Sequence, residues 1–151
     1  MPFYNSGKQR ANTILSEISE IERLTNSDIE DRNLVLLTNY FVHFQSFPLE
    51  VYQDRVTRFA RAIEKLLNKK PRARVFFKGL HYIRSHDEAH IYDSVITQIY
   101  QEIVFKAFKS LQERVVYLDT WSMAGQFDND DVHVSGQCLE AHIQQFMAYL
   151  C

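Results

Sequence analysis

Three short, unbroken apolar runs constrain this chain more than any other feature. They are Leu34-Val35-Leu36-Leu37, Arg74-Val75-Phe76-Phe77 with its charged first residue, and Val115-Val116-Tyr117-Leu118. Each is too short for a helix and apolar at successive positions, the pattern of a strand buried on both faces. Between and around them lie segments whose apolar residues recur at helical spacing. Ile14, Ile18 and Ile21 predict a helix from about Ala11 to Leu24, broken by Thr25-Asn26-Ser27-Asp28. Pro48-Leu49-Glu50 opens a second, long helix striped by Val51, Phe59, Ile63, Leu66 and Leu67 and stopped at Lys69-Lys70-Pro71. Ile91, Val95, Ile99, Ile103 and Phe108 stripe a third, and Leu139, Ile143, Phe146 and Leu150 a fourth. Strands alternating with helices of this length imply parallel strands joined by right-handed crossovers, hence a three-layer α/β/α fold.

A chain of 151 residues suits one domain. Three strands are nevertheless few for such a sheet and would leave apolar edges open. The expectation is therefore a single domain over residues 1–151 that is partial at its N-terminal side, or a reduced version of a larger one. Only 4 glycines and 3 prolines argue against linkers and low-complexity tracts.

Charge excludes some partners. The net charge of −2 leaves no electrostatic footprint for nucleic acid. The basic run Asn68-Lys69-Lys70-Pro71-Arg72-Ala73-Arg74 falls at a helix-to-strand turn and reads as a solvated turn. No segment is apolar for long enough to span a membrane, and the start, MPFYNSGKQR, lacks the apolar core of a secretory signal. Cys138 and Cys151, the two cysteines, cannot make a disulfide framework. At opposite ends of one helical segment they would stand roughly 20 Å apart, beyond the reach of a mutual bridge.

Ligands of open α/β sheets bind beyond the carboxyl ends of the strands. The first strand delivers Asn39, Tyr40 and His43 there, the second Lys78 and His81, the third Asp119, Trp121, Asp130 and His133. The stretch LDTWSMAGQFDNDDVH, a polar loop after a strand, holds Asp130 three residues before His133. A carboxylate in that place fixes an imidazole's tautomer and supports its positive charge, as a general base requires. With an amide such as that of Asn39 as oxyanion donor, the group suits acyl transfer. Taken singly, His43 and His81 lie between apolar neighbours and read as packed core histidines. Asp119 and Trp121 read as a capped loop start and a packing anchor. His86 and His90 share a helix face but lack a third ligand, so a solvated helix start is the preferred reading over a metal-dependent hydrolase. No metal is expected. Without a phosphate-cradling glycine loop, no cofactor is expected either.

With those residues assembled, the chain resembles the C-terminal part of the NXPE (neurexophilin and PC-esterase domain) family. The blocks that carry the resemblance are HFQSFPLEVYQDRV through AIEKLLNKKP, then VFFKG, VVYLDTWSM, DDVH and the ending IQQFMAYLC. They agree in order and spacing over roughly residues 34–151. The resemblance implies an SGNH/GDSL-like hydrolase fold acting on acyl esters, with glycan acyl esters as substrates. It also implies that His133 is the catalytic histidine and Asp130 its acid, with Asn39 to His43 in the oxyanion region. The family's secretory setting would pair Cys151 with a cysteine outside this chain.

One departure governs the functional expectation. The Gly-Asp-Ser block that carries such a site's nucleophile is missing, and Asn5-Ser6-Gly7 has no apolar strand before it. The expectation is an esterase-fold or acetyltransferase-lineage chain that is inactive by itself. The rival is a non-catalytic interaction module of the same fold, using its cleft or an exposed sheet edge to hold a protein partner.

Overall fold

A computed structural model of the chain describes residues 17–40, 44, 47–82, 94–127 and 133–150. In chain order the elements are α1 (residues 17–26), β1 (Val35–Thr38), α2 (Leu49–Lys69), β2 (Arg74–Lys78), α3 (Ser94–Ala107), β3 (Val115–Leu118), α4 (Trp121–Gln126) and α5 (Gly136–Ala148). Short 3-10 turns occupy Asp31–Asn33 and Lys109–Leu111. The three apolar runs thus form strands, and they make one parallel sheet in the order β1-β2-β3. Leu36 lies beside Val75, and Phe77 beside both Thr38 and Tyr117.

The strands step across the sheet in one direction. Two right-handed crossovers made in that order place their helices on the same face. Accordingly α2 and α3 pack together, through Tyr52 against Tyr100 with ring centroids 4.1 Å apart and, just after α3, Phe108 against Phe59 at 6.3 Å. Successive strand residues point to opposite faces, and β2 demonstrates the layering. Phe77 meets Phe108 on the α2/α3 side at 5.3 Å. Its neighbour Phe76 meets Phe146 and Tyr149, in and just after α5, at 5.0 and 6.3 Å. The fold is α/β with helices on both sides of a parallel sheet.

Local chemistry explains the element ends. The Pro48 carbonyl accepts from the amides of Val51 and Tyr52 and starts α2, whose row Tyr52, Val56, Phe59, Ile63 and Leu66 is fully buried. The predicted break after α1 is a cap. Thr25 Oγ1, Asn26 Nδ2 and Ser27 Oγ donate back to the carbonyls of Ile21, Glu22 and Leu24. The basic run is less solvated than its sequence suggests. Lys70 is buried and its ammonium donates to the carbonyls of Ser27 and Ile29, while Arg72 pairs with Asp31 at 2.8 Å. Those residues join α2 and β2 to the chain that follows α1. Among the described residues no helix is long and apolar enough to cross a membrane.

Two helix faces depart from the sequence expectation. Among the described side chains of α3 the buried ones are Thr97, Tyr100, Ile103 and Val104; Ile103 keeps its expected place, as does Phe108 just after the helix, whereas Ile99 is 40% exposed. Ile91 and the side chain of Val95 lie outside the described residues. Tyr100 wins its place because its ring packs on Tyr52 while its hydroxyl donates to the Phe44 carbonyl at 3.1 Å. In α5 the buried residues are Cys138 and His142, with Phe146 half-buried, while Leu139 and Ile143 are exposed.

Candidate functional site

Parallel strands bring their carboxyl ends to one edge, where the candidate groups are found. At the end of β1 Asn39 is exposed and Tyr40 is buried, stacked on Phe44 and Phe59 with centroids 4.6 and 4.8 Å away. Tyr52 donates to the Tyr40 carbonyl at 2.9 Å, fixing the chain as it leaves β1. His43, proposed from sequence for the same region, lies outside the described residues.

After β3, the stretch expected to be an irregular loop contains α4. Asp119 starts it. One carboxylate oxygen accepts from the Trp121 amide at 3.0 Å, a donor that the helix start leaves free, and the other from the Ser122 hydroxyl at 3.1 Å. Gln145 of α5 donates to the Asp119 carbonyl at 3.4 Å, tying the two segments. Asp130 lies outside the described residues. His133 is exposed, two residues before Ser135, the cap residue of α5. Gly136 then opens the helix at a φ of 52°, a left-handed conformation open to glycine without strain.

The most closely knit group at this edge was not foreseen as a unit. It joins the end of β2 to the buried face of α5. Lys78 Nζ is 3.3 Å from Nδ1 of the buried His81, and Cys138 Sγ is 3.8 Å from Nε2 of the buried His142. Burial lowers the Lys78 ammonium from the ordinary 10.5 to about 8, partly offset by the nearby Cys138. Burial pushes the Cys138 thiol up, against the pull of Lys78. Burial, then the charge of Lys78, lowers His142. The arrangement therefore favours a neutral thiol beside a neutral imidazole. A thiol held in that form is a poor nucleophile, so the group reads as a buried polar seam where α5 faces the end of β2.

Thr120 and Gly79 complete the edge. Thr120 Oγ1 lies 2.9 Å from the Gly79 carbonyl and 3.1 Å from that of Leu80, and the Gly79 amide donates to the Leu118 carbonyl at 2.9 Å. The signal for the cluster was present in the sequence. Cys138 and His142 are one helical turn apart, and Lys78 shares the strand face of Phe76. The apolar residues Leu139 and Ile143 gave the wrong phase and concealed it.

Among the described residues no three His, Cys, Asp or Glu side chains converge as a metal site. His86 and His90 lie outside them. A groove of about 430 Å³ includes Thr38 and Asn39 at the β1 end, and one of about 310 Å³ lies between α3 and β3. No solved structure matches the chain. Residues 1–151 do match the family described as NXPE family member 4-like, C-terminal domain, and the chain belongs to it.

Proposed function

We propose that these residues form the acid/base side of an SGNH-like acyl-ester site, in an esterase or acetyltransferase lineage acting on acyl esters of glycans. Family membership along the whole chain is the observation that carries this reading. In it His133 takes the proton from an attacking hydroxyl, and Asp130 orients the imidazole and supports its charge. Asn39, His43 and Asp119 are assigned to the cleft and oxyanion region, with the Asn39 amide as oxyanion donor. The exposure of His133 supports access by a substrate.

The nucleophile is not supplied by these residues. No Gly-Asp-Ser occurs, and two of the described serines have their hydroxyls engaged, Ser122 with Asp119 and Ser27 with the Leu24 carbonyl. Loss of a serine nucleophile costs about 10⁶ in turnover. Purified chain and its His133→Ala variant should therefore hydrolyse a simple acetyl ester at equal, near-background rates. Robust turnover abolished in the variant would overturn the inactive assignment. A titration of the labelled chain with an O-acetylated monosaccharide tests the site itself. The amides of Asn39 and His133 should shift, and the unacetylated sugar should leave them in place; no shift with either sugar refutes the acyl-ester cleft.

A second reading, a non-catalytic interaction module, is favoured by the apolar surface that β1 leaves open. Val35 and Leu37 are 38% and 46% exposed in the sheet.

A further inference from the structure

Phe105 stays 47% exposed although its ring meets Tyr117 with centroids 4.8 Å apart. It lines two hollows along α3. One is the apolar space against β3, where Lys109 is the charged lining residue. The other, also about 310 Å³, is walled by Gln98, Gln101, Glu102 and Phe105 of α3 and by Trp121. Those four helix residues fall at positions i, i+3, i+4 and i+7, one face of α3 beside its buried row. Trp121 opens α4 just beyond the carboxyl end of β3. Its amide is held by Asp119, and the Tyr82 ring stands nearly perpendicular to its own at 5.5 Å.

The lining of this second hollow restricts what it can hold. Trp121 and Phe105 supply apolar ring surface. Gln98 and Gln101 supply amides that both donate and accept, and among the described residues neither is engaged elsewhere. Glu102 supplies acceptors, its charge is met by Lys106 at 3.9 Å, and no cation lines the hollow. An anionic ligand would therefore face Glu102, and a cationic one would have to displace Lys106. A wholly apolar ligand would strip water from the two amides without replacing its hydrogen bonds. A pyranose ring meets both demands. Its C–H face lies on aromatic surface, and the hydroxyls around its rim donate and accept. The hollow is at the small end of ligand pockets, which suits a single ring.

We propose that the hollow between α3 and Trp121 binds one uncharged sugar ring, laid against Trp121 and Phe105 and hydrogen-bonded through Gln98, Gln101 and Glu102. The site goes beyond the acyl-ester reading. It needs no acyl group, and Asn39 and His133 take no part in it.

Trp121 is the single tryptophan of the chain, so its fluorescence reports the site directly. The probe is methyl β-glucopyranoside, whose equatorial hydroxyls leave both ring faces apolar, titrated into the full chain. Emission should change saturably, and the side-chain amides of Gln98 and Gln101 should shift in ¹⁵N-labelled protein. Sorbitol, equally rich in hydroxyls but without a ring face, should produce neither effect. Replacing Gln98 and Gln101 together by Ala should weaken binding about tenfold, the scale of two neutral hydrogen bonds, with the far-UV spectrum unchanged. Phe105→Ala, at an exposed position, should weaken it as well. Affinity should be the same at low and high salt, because the ligand carries no charge. No saturable change, an equal response to sorbitol, or an affinity untouched by the paired Gln replacement overturns the inference. So does binding that fades with salt, which would place the ligand's hold on charge. The Asn39 and His133 amides report the acyl-ester cleft separately, so either reading can fail without the other.

Discussion

Gly79 stands where β2 leaves the sheet, and its lack of a side chain lets two strand ends close up. A Cβ there would fall onto the Tyr117 hydroxyl, 2.7 Å from that ring's Cζ and 2.9 Å from the Leu118 carbonyl oxygen. Gly79→Ala should therefore destabilise the chain by about 1–3 kcal/mol, the usual scale of overpacking. Adding Tyr117→Phe should recover only part of the loss, because the Leu118 carbonyl belongs to the backbone. Urea unfolding of the three variants checks this, and an unchanged midpoint for Gly79→Ala would show that the strand ends move apart freely. One residue earlier, Lys78 links stability to pH. Its folded value near 8 lies below the ordinary 10.5, so between those values the unfolded chain holds more protons. Stability from this group rises as pH rises from about 8 to about 10.5, and its cost is fully present below 8. Lys78→Met should be more stable than the parent at pH 7, by about 1–2 kcal/mol after allowance for partial solvation. The gap should narrow toward pH 10.5, as denaturation at the two pH values will reveal; a constant gap would remove titration as the cause.

At the scale of elements, the order of the four striped helices follows from periodicity, but α4 does not, nor does the full buried face of α3 and α5. Both carry more apolar residues than one face can bury. In α5 the Cys138–His142 row is turned inward, near the charge of Lys78, while Phe146 seats on Phe76. Ile143, at 52% exposure, gains little from the fold. Ile143→Ala should change stability by no more than about 0.5 kcal/mol, the range of ordinary surface substitutions. Phe146→Ala should cost about 1–2 kcal/mol through lost area and ring contact. Paired thermal melts separate the two, and equal losses would return Ile143 to the core.

For the whole molecule, the described residues cover the two faces of the sheet unequally. α2 and α3 pack beneath the sheet, whereas on the other face Phe76 meets α5 and Val35 and Leu37 stay open. Gln145 turns toward the end of β3 through its bond to Asp119. Ile143 and Met147 lie roughly 160° around the helix from it, on the flank away from β3. With Leu139 they form an exposed apolar row along α5. Apolar surface of this extent promotes association. Replacing Ile143 and Met147 together by Lys should reduce concentration-dependent association in sedimentation without changing the far-UV spectrum. Association unaffected by both charges would place the sticky surface elsewhere.

Strand identity and parallel order were legible in the runs at Leu34, Val75 and Val115, because an unbroken apolar run admits few local solutions. The start and stop of α2 were legible as well, since Pro48 and Lys69-Lys70-Pro71 act within a few residues. His133 was recognisable as a candidate through Asp130, but its exposure beside the α5 cap was not. Nor could a local pattern tell that Asp119 would engage both carboxylate oxygens at α4, or that Lys70 would be buried among carbonyls. Lys78, Cys138 and His142 lie far apart in the chain, and only the packing of α5 across β2 brings them together. Periodicity reports which residues share a side of an element, whereas burial and proton affinity depend on what the rest of the chain places against it.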